Sequence, residues 1–177
     1  FLHAQFGLEL KGLALPLIVI YLMADFGSVA GGWLSSSLIK KGWSVNRARK
    51  TTFFICGLVV LPVALVTQVD NQWTAVFLIG LAATGHQAWS ANIFTVVSDV
   101  FPKKAVASVV GIGGLMGMVA SSVANFTLGR ALDSSGKTGY FVAFLIAGCV
   151  YLVILFFLHL IMPKMTPRDE NLEYIGQ

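Results

Sequence analysis

A chain of 177 residues would ordinarily make one soluble domain, but 56% of these residues are apolar and only 11% are charged. A water-facing surface draws on about 25% charged residues, so a soluble globular fold is excluded. The net charge of +4 comes from Lys and Arg in short clusters between long uncharged runs, which also excludes the dense basic patch of a nucleic-acid-binding module.

Residues 1–11 (FLHAQFGLELK) lack the basic start, apolar core and small-residue cleavage site of a signal peptide and are expected as an extracytoplasmic loop. Five runs that are nearly free of Asp, Glu, Lys and Arg follow, at 12–39, 51–69, 71–98, 105–129 and 138–163. A helix needs about 20 mostly apolar residues to cross about 30 Å of hydrocarbon, so each run is long enough to span. The connections are KKGWSVNRARK, a turn at Asp70, DVFPKK and RALDSSGK. A transmembrane barrel is excluded, because the runs do not alternate and exceed strands of about ten residues. The expected fold class is therefore all-α and polytopic in the membrane, with a helical bundle over 12–163 and a tail over 164–177.

Lys and Arg counts in alternate connections set the orientation. Lys40, Lys41, Arg47, Arg49, Lys50, Lys103, Lys104, Lys164 and Arg168 fall on one side, against Lys11, Arg130 and Lys137 on the other. The first side is expected to be cytoplasmic, with the C-terminus inside and the N-terminus outside. An odd number of spans, an outside start and no initiating Met make a chain cut from a larger protein the expectation. Cys56 and Cys149 fall inside spans two and five and read as small packing residues.

The spans differ in polarity. Spans two and five are apolar throughout. Span one carries Tyr21, Asp25 and Ser28, span three carries His86, Gln87, Trp89, Ser90, Asn92 and Thr95, and span four is rich in Gly and Ser, with Ser121, Ser122 and Asn125. Helices that line a cavity must carry such groups, whereas lipid-facing ones need not. Gly27-x-x-x-Gly31 and Gly113-x-x-x-Gly117 permit close helix approach.

Asp25 is the only formal charge within a span. An intramembrane carboxylate costs at least ~2.5–3.5 kcal/mol on insertion scales, so it faces either a cavity, as a proton-sensitive group, or a helix partner through Tyr21 or Ser28. His86 and Ser90 are four residues apart with Trp89 between, so the three can share a face. Gln87, Ser90 and Asn92 offer hydrogen-bond partners, Trp89 an apolar platform and His86 a donor, which makes the set a candidate substrate-binding site. The other reading of this set is interhelical hydrogen bonding. Tyr21, Ser28, Ser121 and Asn125 are candidate cavity-lining groups. No second ligand lies at metal spacing, and no cofactor is expected. Ser90 with His86 is the nearest approach to a nucleophile–base pair, and no carboxylate on that helix orients it, so an enzyme is not expected.

The order polar, apolar, polar, polar, apolar resembles the C-terminal part of the major facilitator superfamily. In that fold every third of twelve helices faces lipid, and the five spans would be helices 8–12, an incomplete C-terminal half. The segment GGWLSSSLIKKGW with Arg47, Ala48, Arg49 and Lys50 resembles the superfamily's loop motif between helices 8 and 9. Its positions include Gly32, Ser36, Gly42, Arg47, Arg49 and Lys50, and Ser36 stands where members often carry an acid. The motif implies a charge-relay contact with a neighbouring helix. The stretches ADFGSVAGGWLSSSLIKKGWSVNRARK and GHQAWSANIFTVVSDVFPKKAVASVVGIGG, with the final PKM, are similar to the anion:cation symporter family and, within it, to hexuronate transporters. That resemblance implies proton symport of a small organic anion across the bacterial inner membrane by alternating access. It also implies that a missing N-terminal half, helices 1–7, completes the transporter. A transporter of another carboxylate and a non-transporting membrane subunit are the alternatives.

Overall fold

The structure is a computed structural model that describes residues 1–165, with the side chains of 133–137 left aside. The described residues form helices and no strands. Helix α1 (Leu2–Phe6) precedes α2 (Ala14–Lys40). Helix α3 (Val45–Val60) continues as a 3₁₀ segment (Leu61–Gln68), and α4 (Gln72–Val100) and α5 (Lys103–Ile161) follow. Four segments are long and apolar enough to cross a membrane: Ala14–Lys40, Val45–Gln68, Lys103–Leu132 and Thr138–Ile161. The run expected as a third span lies within helix α4, about 44 Å long at 1.5 Å per residue, which is not among these four. Its polar residues keep it out of that apolar group.

Local chemistry sets the ends of the helices. Gly42, at φ 88°, terminates α2. Trp43 N–H reaches back to Leu38 O and Gly42 N–H to Ile39 O, a Schellman arrangement that needs a left-handed residue at this position. Ser44 then starts α3, its hydroxyl accepting from Arg47 N–H. Asn71 starts α4, its Oδ1 accepting from the N–H groups of Trp73 at 2.8 Å and Thr74 at 3.2 Å. Pro62 lies at the start of the 3₁₀ segment. Its missing N–H cannot serve an i−4 carbonyl, and the helix tightens there.

The bundle is organised around α4. Its closest neighbour is α2, and the crossing is made by absent side chains. A Cβ on Gly31 would lie 2.6 Å from the Cα of Ala88, and one on Gly27 would fall on the carbonyl oxygen of Thr84. Thr84 Oγ1 donates to Met23 O or Gly80 O, each at 2.8 Å. On the other side, Gly85 faces Val60 and the carbonyl of Cys56 on α3. Two buried clusters result. Val60, Val63, Val66, Ala75 and Val76 form one with Leu2. Phe53, Cys56, Ala88, Trp89, Val100 and Met165 form the other, at the end that carries the Lys40–Lys50 cluster, here called the basic end.

Three expectations need correction. Residues 1–11, expected as a loop, hold α1, and Leu2 is buried in the first cluster while Phe1 meets Phe6, Tyr140 and Phe144 edge-on or tilted. Cys149, expected as a packing residue, is exposed, whereas Cys56 is buried.

The third correction concerns the connection expected at RALDSSGK. Helical hydrogen bonding continues through it, so α5 is one element of 59 residues. It is nevertheless folded back on itself. A Cβ on Gly139 would lie 3.3 Å from Ala131 O, eight residues earlier, where a straight helix would separate them by about 12 Å. Sharp bends favour Gly/Ser sequences, and Ser134-Ser135-Gly136 occupies this stretch. The two arms face each other across a cavity of about 550 Å³ between Ala124, Leu128 and Ala131 on one and Gly139, Val142 and Ile146 on the other. The second arm packs on α3 and the 3₁₀ segment, with Gly148 against Leu61 O. Every residue of the first arm from Gly111 to Ala131 is exposed.

The tail over 164–177 expected to be cytoplasmic, Arg168 included, lies outside the described residues beyond Met165.

Candidate functional site

One face of α2 packs on α4, and the opposite face is left uncovered. Tyr21, Asp25, Phe26, Val29 and Trp33 lie there and are exposed, and Ser28 is half-buried beside them. Among the described residues Asp25 has no hydrogen bond or ion pair. The contact with Tyr21 or Ser28 that would make it a structural carboxylate is absent. A carboxylate in the middle of an apolar helix, aimed away from the packed face, is costly in hydrocarbon unless water or a partner meets it.

The polar set on α4 is divided between faces. Trp89 is 5% exposed, with its ring 4.6 Å from that of Phe53 and 5.2 Å from that of Tyr151, centroid to centroid. It is therefore a wedge between α3 and the second arm of α5, and within this chain it offers no open platform for a sugar ring. His86 is exposed, with Nδ1 2.6 Å from the Tyr151 hydroxyl, which ties α4 to α5. Gln87 and Ser90 are half-buried. Asn92 is wholly buried. Its Nδ2 donates to Gly31 O at 3.0 Å and Ala88 O at 2.9 Å, and its Oδ1 accepts from Arg49 Nη1 at 3.1 Å. Every polar atom of that amide is thus spent on holding helices together. On the first arm of α5, Ser121 Oγ accepts from Asn125 Nδ2 at 3.4 Å and Ser122 donates to Met118 O. All three are exposed.

The strongest polar constellation is at the basic end, and Arg49 is its centre. The guanidinium is 4% exposed. Nε donates to Asp99 Oδ2 at 2.8 Å, and Nη1 donates to Ser35 Oγ at 2.6 Å as well as to Asn92. Ser35 Oγ in turn donates to Gly32 O. One buried cation thus joins α2, α3 and α4, with a carboxylate to balance it and hydrogen bonds to satisfy it. This is the arrangement in which a buried ion pair is tolerated and in which removal of one partner is expensive. Arg49 and Asp99 thus form a charged contact between α3 and α4. Ser36, at the motif position where members often carry an acid, is exposed, while its neighbour Ser35 points inward. Gly32 has open space around it.

Asp99 and Ser35 are the members that the sequence did not reveal. Both have a readable signal in retrospect. Asp99 is the acidic residue of DVFPKK, facing the Arg-rich connection on the same side. Ser35 lies four residues from Gly31 and eight from Gly27, on the packed stripe of α2.

The remaining motif residues fasten the same end. Arg47 lies over the Trp43 ring, 4.2 Å from its centroid. Lys50 Nζ donates to Met162 O at 2.8 Å and Pro163 O at 2.7 Å, and lies 3.1 Å from His159 Nδ1. Lys50 therefore caps the C-terminus of α5 from α3. Among the described residues no group of three His, Cys, Asp or Glu is placed to hold a metal ion.

No family model matches the chain. Individual curated proteins do. The chain is 27% identical over 143 residues to a hexuronate transporter of Escherichia coli K12, covering 80% of this chain and 33% of that protein. It is 29% identical over 132 residues to a probable galactarate/D-glucarate transporter of Bacillus subtilis 168, covering 75% and 29%. It is 30% identical over 151 residues to a probable hexose phosphate transport protein of Chlamydia pneumoniae, covering 82% and 30%. The chain thus spans about a third of the length of the curated relatives it matches.

Proposed function

Starting from a chain that is kin to the hexuronate and galactarate/glucarate transporters of the anion:cation symporter family, in the major facilitator superfamily, we propose that it forms part of a sugar-acid carrier. In this reading α2, α3 with its 3₁₀ segment, α4 and the two arms of α5 are five spans, helices 8–12 of a twelve-helix transporter. The full-length protein takes up a small organic anion together with a proton, by alternating access, across a bacterial inner membrane. The basic end is cytoplasmic.

The observation that carries the reading is the exposed carboxylate of Asp25 on an otherwise largely apolar, uncovered face of α2, within a chain whose relatives are named sugar-acid transporters. Asp25, with Tyr21 and Ser28 beside it, is the group assigned to the cavity and to proton coupling. His86, Gln87 and Ser90 on α4, with Ser121 and Asn125 on the first arm of α5, are by the same reading assigned to the substrate cavity that the full-length protein completes. Trp89 and Asn92 keep a place in the site as positioning residues, through the helices they hold. The helices of an N-terminal half, by the same reading, close the cavity opposite Asp25. In this reading the chain is part of a carrier and not of an enzyme.

A hexuronate carries one carboxylate, whereas galactarate and glucarate carry two. The test is uptake of radiolabelled galacturonate, glucuronate, glucarate and a neutral hexose by cells expressing the full-length protein, with and without a protonophore. Saturable uptake of a sugar acid that the protonophore abolishes supports the reading. Uptake of none of them in cells where the protein reaches the membrane discards it in favour of a non-transporting subunit.

A further inference from the structure

The two apolar membrane-length segments Val45–Gln68 and Thr138–Ile161 pack side by side, and their outer faces do not close completely. A cleft of about 360 Å³ runs between them, walled by Phe54, Leu152, Leu155 and Phe156. Lys50, one turn before Phe54, and His159, one turn after Leu155 and Phe156, stand at its basic end. The remainder of the lining is hydrocarbon.

The electrostatics of that end are unbalanced. The three donors of Lys50 go to two carbonyl oxygens and an imidazole nitrogen, all neutral. The C-terminus of α5 offsets part of its charge, but among the described residues no carboxylate does. His159 adds a second nitrogen-bearing ring at this end, with Nδ1 towards Lys50 and Nε2 not engaged by it. Arg47, one turn beyond Lys50, and Lys164 are exposed at the same end. A groove that is apolar along its length and cationic at one end matches an amphiphile lying along the membrane normal. Acyl chain fits the groove and an anion fits the end, as in basic pockets between membrane helices that take anionic headgroups.

We infer that this cleft is a binding site for an anionic phospholipid, with its headgroup at Lys50 and His159 and an acyl chain against Phe54 and Phe156. The inference rests on the membrane orientation proposed above. The site lies on the outside of the bundle, away from Asp25, and would fasten the ends of α3 and α5 that Lys50 already bridges.

The experiment uses the full-length protein purified in detergent and titrated with phosphatidylglycerol or phosphatidylcholine of matched chains, with bound lipid read by native mass spectrometry. Phosphatidylglycerol is expected to bind tighter by about fivefold, the effect of roughly one basic residue at an anionic surface. Lys50→Gln, which retains an amide donor for the carbonyls, should bring the two lipids to near equality. Phe156→Ala should weaken both. Equal binding of the two lipids by the wild-type protein overturns the site, and that comparison needs no variant to fold. A selectivity unaffected by Lys50→Gln also overturns it. A protein that transports a sugar acid but shows no lipid preference discards only the lipid site. One that selects phosphatidylglycerol and transports nothing keeps the site and discards the carrier.

Discussion

Two charged residues on neighbouring helices have opposite environments, and their substitution should separate stability from transport. Arg49 is buried, paired with Asp99 and hydrogen-bonded to Ser35 and Asn92. Arg49→Ala would leave a carboxylate and two polar side chains without their donor, at a cost of about 3 kcal/mol. Asp25 is exposed and, among the described residues, has no partner, so Asp25→Asn should change stability by less than about 0.5 kcal/mol. In the full-length protein, Arg49→Ala should lower the unfolding temperature in detergent. Asp25→Asn should leave it in place while reducing proton-driven uptake more than substrate exchange. An Asp25→Asn protein that loses both activities equally removes Asp25 from proton coupling, and an unchanged melt for Arg49→Ala removes the network from stability. The sequence marked Asp25 as the only charge within a span and Arg49 as one of a basic cluster beside one. It could not show which was paired, because the partners Asp99 and Asn92 are 50 and 43 residues away.

The helices themselves were legible, because absence of charge over about 20 residues is a direct requirement of the hydrocarbon core. Their ends were legible where a residue type has one purpose, as with Gly42 in its left-handed turn and Asn71 as a cap. Packing was legible only in part. The Gly-x-x-x-Gly pattern occurs twice. At Gly27 and Gly31 it does bring α2 against α4, while nothing lies within 4 Å of Gly113 or Gly117. The pattern specifies a smooth surface, and which surface meets it depends on the rest of the bundle. The trajectory of span two was hidden for a similar reason. Pro62 announces a lost hydrogen bond, but the 3₁₀ continuation depends on which carbonyls its neighbours' N–H groups donate to. For the α2–α4 crossing the expectation is sharp. Gly31→Leu must push the helices apart and should destabilise by at least the ~1–3 kcal/mol of overpacking. Gly32→Ala, one residue on and with open space around it, should be neutral or slightly stabilising. Equal effects of the two in a thermal melt would show that the crossing tolerates separation.

At the scale of the whole molecule the uneven burial of α5 is the informative feature. Its second arm is held by Lys50 at one end and by Phe1 against Phe144 towards the other, and it touches α3 and the 3₁₀ segment between them. The first arm has the length and apolarity of a span, yet contacts little beyond the cavity it shares with the second. Lipid could cover it, but glycine and serine gain little from acyl chains. Small residues contribute to stability in a membrane by admitting another backbone to close range. In the proposed carrier that other backbone belongs to the part of the protein outside this third of its relatives' length. The consequence can be measured in the full-length protein. A Cβ on Gly113 or Gly117 meets nothing within 4 Å in this chain, so local packing alone predicts that Gly113→Leu and Gly117→Leu leave melt and uptake unchanged. If the arm is instead a sliding contact between two halves, both substitutions should cut uptake by about tenfold, the cost of roughly 1.4 kcal/mol, with a smaller effect on substrate affinity. Full uptake in both variants would place the glycine-rich arm in lipid and remove it from the transport cycle.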